Sequence, residues 1–187
     1  MNSTLRFWAA VVPSFLFVAA IAMRAEWTLR TGREVHLAVR AYDPMDALSG
    51  RYLAVPLAIE RVDRGAAARD EQRSLLGRVV WVRLEPGEPF WLAAEVLDAP
   101  PGDPDVVALR GTVVNDQQAD LWVDYGLDRF FIPQDAADPT VPRNAHRLTA
   151  VVRVTREGTS ALADLLVDGE TYADWNARQP RGSGAPR

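Results

Sequence analysis

Two hydrophobic patterns divide this chain. From Phe7 to Met23 apolar and small residues run without a charge between Arg6 and Arg24, and from Val35 onward apolar and polar positions alternate. As a helix the first stretch covers about 25 Å, at about 1.5 Å per residue, close to the roughly 30 Å hydrocarbon core of a bilayer. Its flanks help it span: Trp8 and Trp27 suit the two interfacial belts, and Arg6 and Arg24 can extend their charges outward. A transmembrane anchor is therefore expected over residues 1–27. The competing reading is a cleaved signal peptide, with Arg6 as its basic region and Ala20-Ile21-Ala22 as a small-x-small cleavage site. Retention is favoured because the run exceeds the roughly 7 to 15 residues of a signal core and patterned sequence resumes soon after it. Arginine counting sets Arg6 and the terminal amine against Arg24, Arg30 and Arg33, which leans toward a cytoplasmic domain.

The rest of the chain has period two, interrupted by turn residues, which predicts strands. In Tyr52–Glu60, Leu53, Val55, Leu57 and Ile59 share one face, and Pro56, lacking a ladder donor, marks a sheet edge or a bulge. Further strands are expected at Val35–Ala41, Arg78–Leu84, Phe90–Leu97, Val106–Val114, Asp120–Tyr125, Phe130–Ile132, Arg147–Thr155 and Ala161–Val167. Glu85-Pro86-Gly87-Glu88, Asn115-Asp116 and Glu157-Gly158 read as hairpin turns, so pairing should be mainly antiparallel. The expectation is a mainly β protein: an N-terminal transmembrane helix followed by a single antiparallel β-sandwich or barrel-like domain over residues 34–174. Trp81, Trp91 and Trp122 read as core fillers or wall pieces. Arg64–Ser74 reads as a surface helix or loop, Asp135–Asn144 as a loop, and residues 175–187 as a disordered tail.

Composition removes several chemistries. A formal net charge of −4 without a basic stripe argues against nucleic acid as a partner. All 21 basic residues are arginine, so Schiff-base, phosphate-loop and serine/lysine mechanisms are excluded. There is no cysteine, which excludes disulfides, thiol nucleophiles and thiolate metal sites. The two histidines, His36 and His146, lie far apart in sequence with no metal-binding spacing, and no Gly-x-Ser-x-Gly elbow occurs. His36 should lie on the face of its strand opposite Val35, Leu37 and Val39. No catalytic residue, metal or cofactor is expected. Dispersed residues such as Ser160 and the histidines leave a geometry-built hydrolase site open.

Asp43-Pro44, Leu48 and the run Gly50-Arg51-Tyr52-Leu53-Ala54-Val55-Pro56-Leu57 resemble the GDYXXLXY family of membrane-anchored bacterial proteins. Arg51, Val55 and Leu57 depart from that family's Asp, Leu and second Tyr. Val123–Pro133 and Gly158–Gly169 are similar to later stretches of the same family. The resemblance implies an inner-membrane anchor with one pass, a β-domain on the periplasmic side, and polytopic membrane proteins as encoded neighbours; it implies no established activity.

The functional expectation is a non-enzymatic interaction or assembly module that touches the lipid bilayer through its helix and docks on a polytopic membrane protein or envelope component. Asp43, Gly50, Tyr52, Tyr125, Asp128 and Arg129 are the candidate binding patch, since polar and aromatic residues at strand ends recognise ligands and partners. Arg6, Trp8, Arg24 and Trp27 are the membrane-interface residues. The alternative is an envelope hydrolase or a small-ligand-binding domain.

Overall fold

The computed structural model describes residues 3–40, 52–63, 74–117, 119–133, 136–137, 139 and 146–179. It begins with one helix, α1 (Ser3–Thr31). Within it, Val11–Thr31 is long and apolar enough to cross a membrane and is almost wholly uncovered by the rest of the chain. Phe15, Leu16, Phe17, Val18 and Met23 are all exposed, which in water would be costly and in hydrocarbon is the favoured state. Pro13 lies inside α1, where membrane helices tolerate it.

Among the described residues eleven strands follow, every pair antiparallel. They are β1 (Arg33–Ala38), β2 (Tyr52–Ala54), β3 (Arg61–Asp63), β4 (Val79–Glu85), β5 (Leu92–Leu97), β6 (Val107–Asp116), β7 (Asp120–Asp124), β8 (Arg129–Phe131), β9 (Leu148–Val154), β10 (Ser160–Val167) and β11 (Glu170–Thr171). A five-stranded sheet has the order β3-β7-β6-β4-β5, a four-stranded sheet the order β1-β9-β10-β11, and β2 pairs with β8 as a ribbon. Single contacts join these pieces into a nearly closed barrel. Trp91 N–H donates to the His36 carbonyl at 2.9 Å, Arg110 N–H to the Gly158 carbonyl at 2.9 Å, and Val39 bridges Leu57.

The alternation read from the sequence places the core. Leu53, Val55, Leu57 and Ile59 are all buried, as are Val80, Val82 and Leu84 on β4, and Leu37, Leu109, Leu121 and Leu165 from four different strands. Burying each such side chain contributes about 1.5–3 kcal/mol. The long strand expected over Tyr52–Glu60 is instead divided. After β2 the missing N–H of Pro56 ends the ladder, Leu57 N–H turns to the Glu60 carboxylate at 3.0 Å, and a 3-10 turn at Ala58–Glu60 delivers the chain to β3 in another sheet. Pro56 is thus the switch point between sheets. Trp81 on β4, Trp122 on β7 and Trp91 just before β5 are half-buried wall pieces, and Trp91 also packs against the core. Trp81 donates to the Glu157 carbonyl at 2.9 Å, and Trp91 and Trp122 lie under Arg33 and Arg40, whose guanidinium carbons are 5.5 and 5.1 Å from the ring centres.

The ordered domain continues past residue 174, where a tail was expected. Helix α2 (Tyr172–Ala177) carries Tyr172 and Trp175 into the core. Its start is a Thr-x-x-Asp cap: the Thr171 hydroxyl accepts from Asp174 N–H at 3.2 Å and donates to the Asp174 carboxylate at 2.8 Å. Arg64 to Arg73, most of Asp135–Asn144 and the chain from Pro180 lie outside the described residues.

The junction between α1 and β1 has no linker. Gly32 N–H closes the helix on the Thr28 carbonyl at 2.9 Å, and Thr28 is 2% exposed. A Cβ on Gly32 would lie 2.6 Å from the Thr28 carbonyl oxygen and 2.8 Å from Val154 N, so only glycine lets the helix end press against β9. Arg153 braces the joint, donating to the Gly32 carbonyl at 3.3 Å and pairing with Glu34 at 2.7 Å.

The β9–β10 turn provides a direct stability test. Gly158 has φ of +85°, and a Cβ there would meet Trp81 at 2.7 Å and the Ala108 carbonyl at 3.0 Å, whereas Gly126, at φ of +68°, faces open space. Gly126→Ala should cost about 1 kcal/mol for the left-handed backbone alone, and Gly158→Ala about 1–3 kcal/mol more for the clash. Urea unfolding of both variants checks the difference; equal midpoints would show that the turn is loosely packed.

Candidate functional site

Three of the sequence-predicted patch residues meet on one surface. In the β2–β8 ribbon, Tyr52 pairs with Phe131 and Ala54 with Arg129. Because side chains alternate along a strand, Tyr52, Phe131 and Arg129 share the outer face while Leu53 and Phe130 point inward. The Arg129 guanidinium carbon lies 5.4 Å from the Tyr52 ring centre, and Asp128 pairs with Arg129 at 3.2 Å. Phe131, which was not among the predicted patch residues, is 75% exposed. The Phe130-Phe131 doublet was its signal, since period two sends one ring of such a pair outward.

Tyr125 does not join them. It is buried, and its hydroxyl donates to the Ile59 carbonyl at 3.0 Å, tying the segment after β7 to the 3-10 turn before β3. Burial, and secondarily the nearby Glu60 carboxylate, push its phenol far above the ordinary value. Asp43 and Gly50 lie outside the described residues. Of the interface residues, Arg6 falls within α1, Trp8 and Trp27 are exposed, and the Arg24 guanidinium lies 3.5 Å from the Thr159 hydroxyl.

A second feature unites the chain's two histidines, 110 residues apart in sequence. An open groove of about 640 Å³ is lined by His36, Pro89, Phe90, His146, Thr149 and Asp168, among others. His36 is half-buried and its Nε2 lies 3.2 Å from Glu34. His146 Nδ1 lies 2.6 Å from an Asp168 carboxylate oxygen, whose other oxygen accepts from Arg147 N–H at 2.8 Å. The His146 ring stands edge-on to Trp175 at 5.3 Å. These contacts fix the orientation of the His146 ring. Asp168 is positioned by a tight turn: Asp168 and Gly169 have φ of 52° and 93°, the left-handed pair of a two-residue hairpin. That Asp-Gly dipeptide between apolar runs is a legible hairpin signal missed in the sequence.

The groove holds an oriented acid–base pair, and Thr149, the hydroxyl-bearing residue among its described lining, is 7% exposed. Among the described residues no three His, Asp or Glu side chains are placed so that they could hold a metal ion together.

A family model described as GDYXXLXY protein matches residues 14–165, from within α1 to within β10. No curated protein and no solved structure matches the chain.

The hydrogen bond from His146, and then that from Arg147 N–H, hold the Asp168 carboxyl below its ordinary value. A depressed folded-state value means stabilisation that is present above the unfolded value of about 4 and lost as pH falls through the folded one. Asp168→Asn, which tolerates the same backbone, should therefore unfold at lower urea than the parent near pH 6, with the gap closing as pH falls below the ordinary carboxylate value of about 4. A gap that stays constant with pH would contradict the charge assignment.

Proposed function

The chain belongs to the GDYXXLXY family, and from that premise we propose that it is a membrane-anchored, non-enzymatic interaction module whose β-domain docks on an integral membrane or envelope protein. The observation that carries this is the exposed ribbon face. Phe131 stands 75% exposed beside Tyr52 and Arg129, a large apolar ring, a tyrosine and an arginine together, the residue types enriched where protein partners bind. A lone surface phenylalanine needs no partner; one aligned with a stacked Tyr–Arg pair on a rigid ribbon supports a docking face.

The setting proposed is a bacterial inner membrane, crossed once by α1, with the β-domain in the periplasm. Family resemblance supports that side, and the arginines at positions 24, 30 and 33 weigh against it. A second reading, a small-ligand or hydrolytic site, draws its support from the meeting of His36, His146 and Asp168 in one groove.

A photo-crosslinking residue at Phe131 in the full-length, membrane-resident protein should give an adduct with a polytopic membrane protein. Arg129→Glu should abolish it, a crosslinker at exposed Val114 on β6 should give none, and the double change His36→Ala, His146→Ala should leave it intact. A C-terminal reporter active only outside the cytoplasm should be active. No adduct, together with loss of the cellular phenotype in the double-histidine variant, would favour the groove instead; a silent reporter would refute the periplasmic side.

A further inference from the structure

Where α1 meets the domain, a groove of about 580 Å³ runs between the helix and the β9–β10 hairpin, lined by Ala20, Met23, Arg24, Trp27, Thr155 and Glu157, together with Thr28 and Thr159. Its volume lies within the roughly 300–1,000 Å³ of small-molecule sites. Its chemistry is graded along the helix axis. Ala20 and Met23 form the last apolar turn before the first charge, Arg24, and Trp27 follows one turn later, still exposed at 66%. Opposite them, the hairpin offers the Thr159 hydroxyl and the Glu157 carboxylate, while the Thr155 hydroxyl is buried. Arg24 reaches across to Thr159 Oγ1 at 3.5 Å, and neither Arg24 nor Glu157 has an ion-pair partner among the described residues.

We propose that this groove binds one bilayer glycerophospholipid carrying an amine, with its phosphate on Arg24 and Thr159, its ammonium on Glu157, and its acyl chains along Ala20 and Met23 toward the membrane. The assignment rests on α1 crossing the bilayer, because that reading sets the groove at headgroup height: one end faces hydrocarbon and the other the aqueous hairpin. Three features select this occupant. A cation and an anion a few residues from the apolar wall match a zwitterion rather than a single charge. Indole and guanidinium side chains at the end of a membrane helix are favoured at the headgroup level. The rigid joint at Gly32 keeps the two walls at a fixed spacing, so the site exists before the lipid arrives.

The test is native mass spectrometry of the full-length protein extracted in mild detergent and titrated with phosphatidylethanolamine or with phosphatidylglycerol of the same acyl chains. One phosphatidylethanolamine should be retained at least tenfold more tightly than phosphatidylglycerol. Glu157→Gln should erase that preference, and Arg24→Gln should weaken both lipids about tenfold; both residues are exposed, and circular dichroism verifies the fold. Soluble glycerophosphoethanolamine should not compete, since it lacks acyl chains. Undefined stoichiometry, equal retention of the two lipids, or an unchanged preference in Glu157→Gln overturns the proposal. Carbonate extraction separates the two failures: protein released from the membrane defeats the spanning reading and the lipid site together, whereas pelleted protein without a retained lipid defeats the site alone.

Discussion

Everything about how this molecule presents itself depends on the joint at Gly32. A helix long enough to enter a membrane ends, and one residue later β1 begins, paired with β9 at the edge of the four-stranded sheet. The absence of a side chain at that residue lets the last turn of α1 lie against Val154. Thr28 is buried beneath it, and Arg153 ties the Gly32 carbonyl and Glu34 together. A flexible tether would let the domain wander through a volume set by linker length. In this chain no such linker intervenes: the end of α1 packs directly on β9 and is tied to it by Arg153.

The barrel then distributes its surfaces in a consistent way. β9 is buried on both faces over Thr149–Val152, flanked by β1 and β10, and the hairpin that follows it forms one wall of the groove beside α1. The Tyr52–Arg129–Phe131 face lies on the short β2–β8 ribbon, which the switch at Pro56 separates from the five-stranded sheet. Polar chemistry gathers where regular pairing stops. Asp168 is held by a tight turn, His146 by Asp168, and Tyr125 by the carbonyl of Ile59 in the 3-10 turn. Two of these contacts serve a backbone group freed from the ladder, Arg147 N–H on the Asp168 carboxylate and the Ile59 carbonyl under the Tyr125 hydroxyl; the His146–Asp168 contact joins two side chains.

What was legible in the sequence followed from period. Alternation at Leu53, Val55, Leu57 and Ile59 named four core residues correctly, because a side chain's face depends only on strand geometry. It misjudged the path, because alternation does not tell one nine-residue strand from two short ones joined by a turn with inward spacing kept. The Thr171–Asp174 cap and the Asp168–Gly169 turn were local signals, readable without tertiary information. The meeting of His36 with His146 was not: it needs the pairing of β1 with β9 and the return of β10, long-range facts that no window of sequence contains. Tyr125 shows the limit from the other side, since a tyrosine at a strand end is equally suited to a surface patch and to a buried anchor, and only the nearby Ile59 carbonyl decides.

The central claim, that helix and barrel are one rigid unit, can be measured directly because the chain has no cysteine to interfere with labelling. Spin labels on Glu26→Cys in α1 and Val114→Cys on β6, in full-length protein reconstituted into lipid nanodiscs, report the separation between the two parts by pulsed electron resonance. A single narrow distance distribution is the expected result, and it should broaden when Gly32 is replaced by a larger residue. A broad distribution in the unaltered joint would mean that the domain swings freely on its anchor, which would contradict the rigid joint and the fixed membrane-facing surfaces that depend on it.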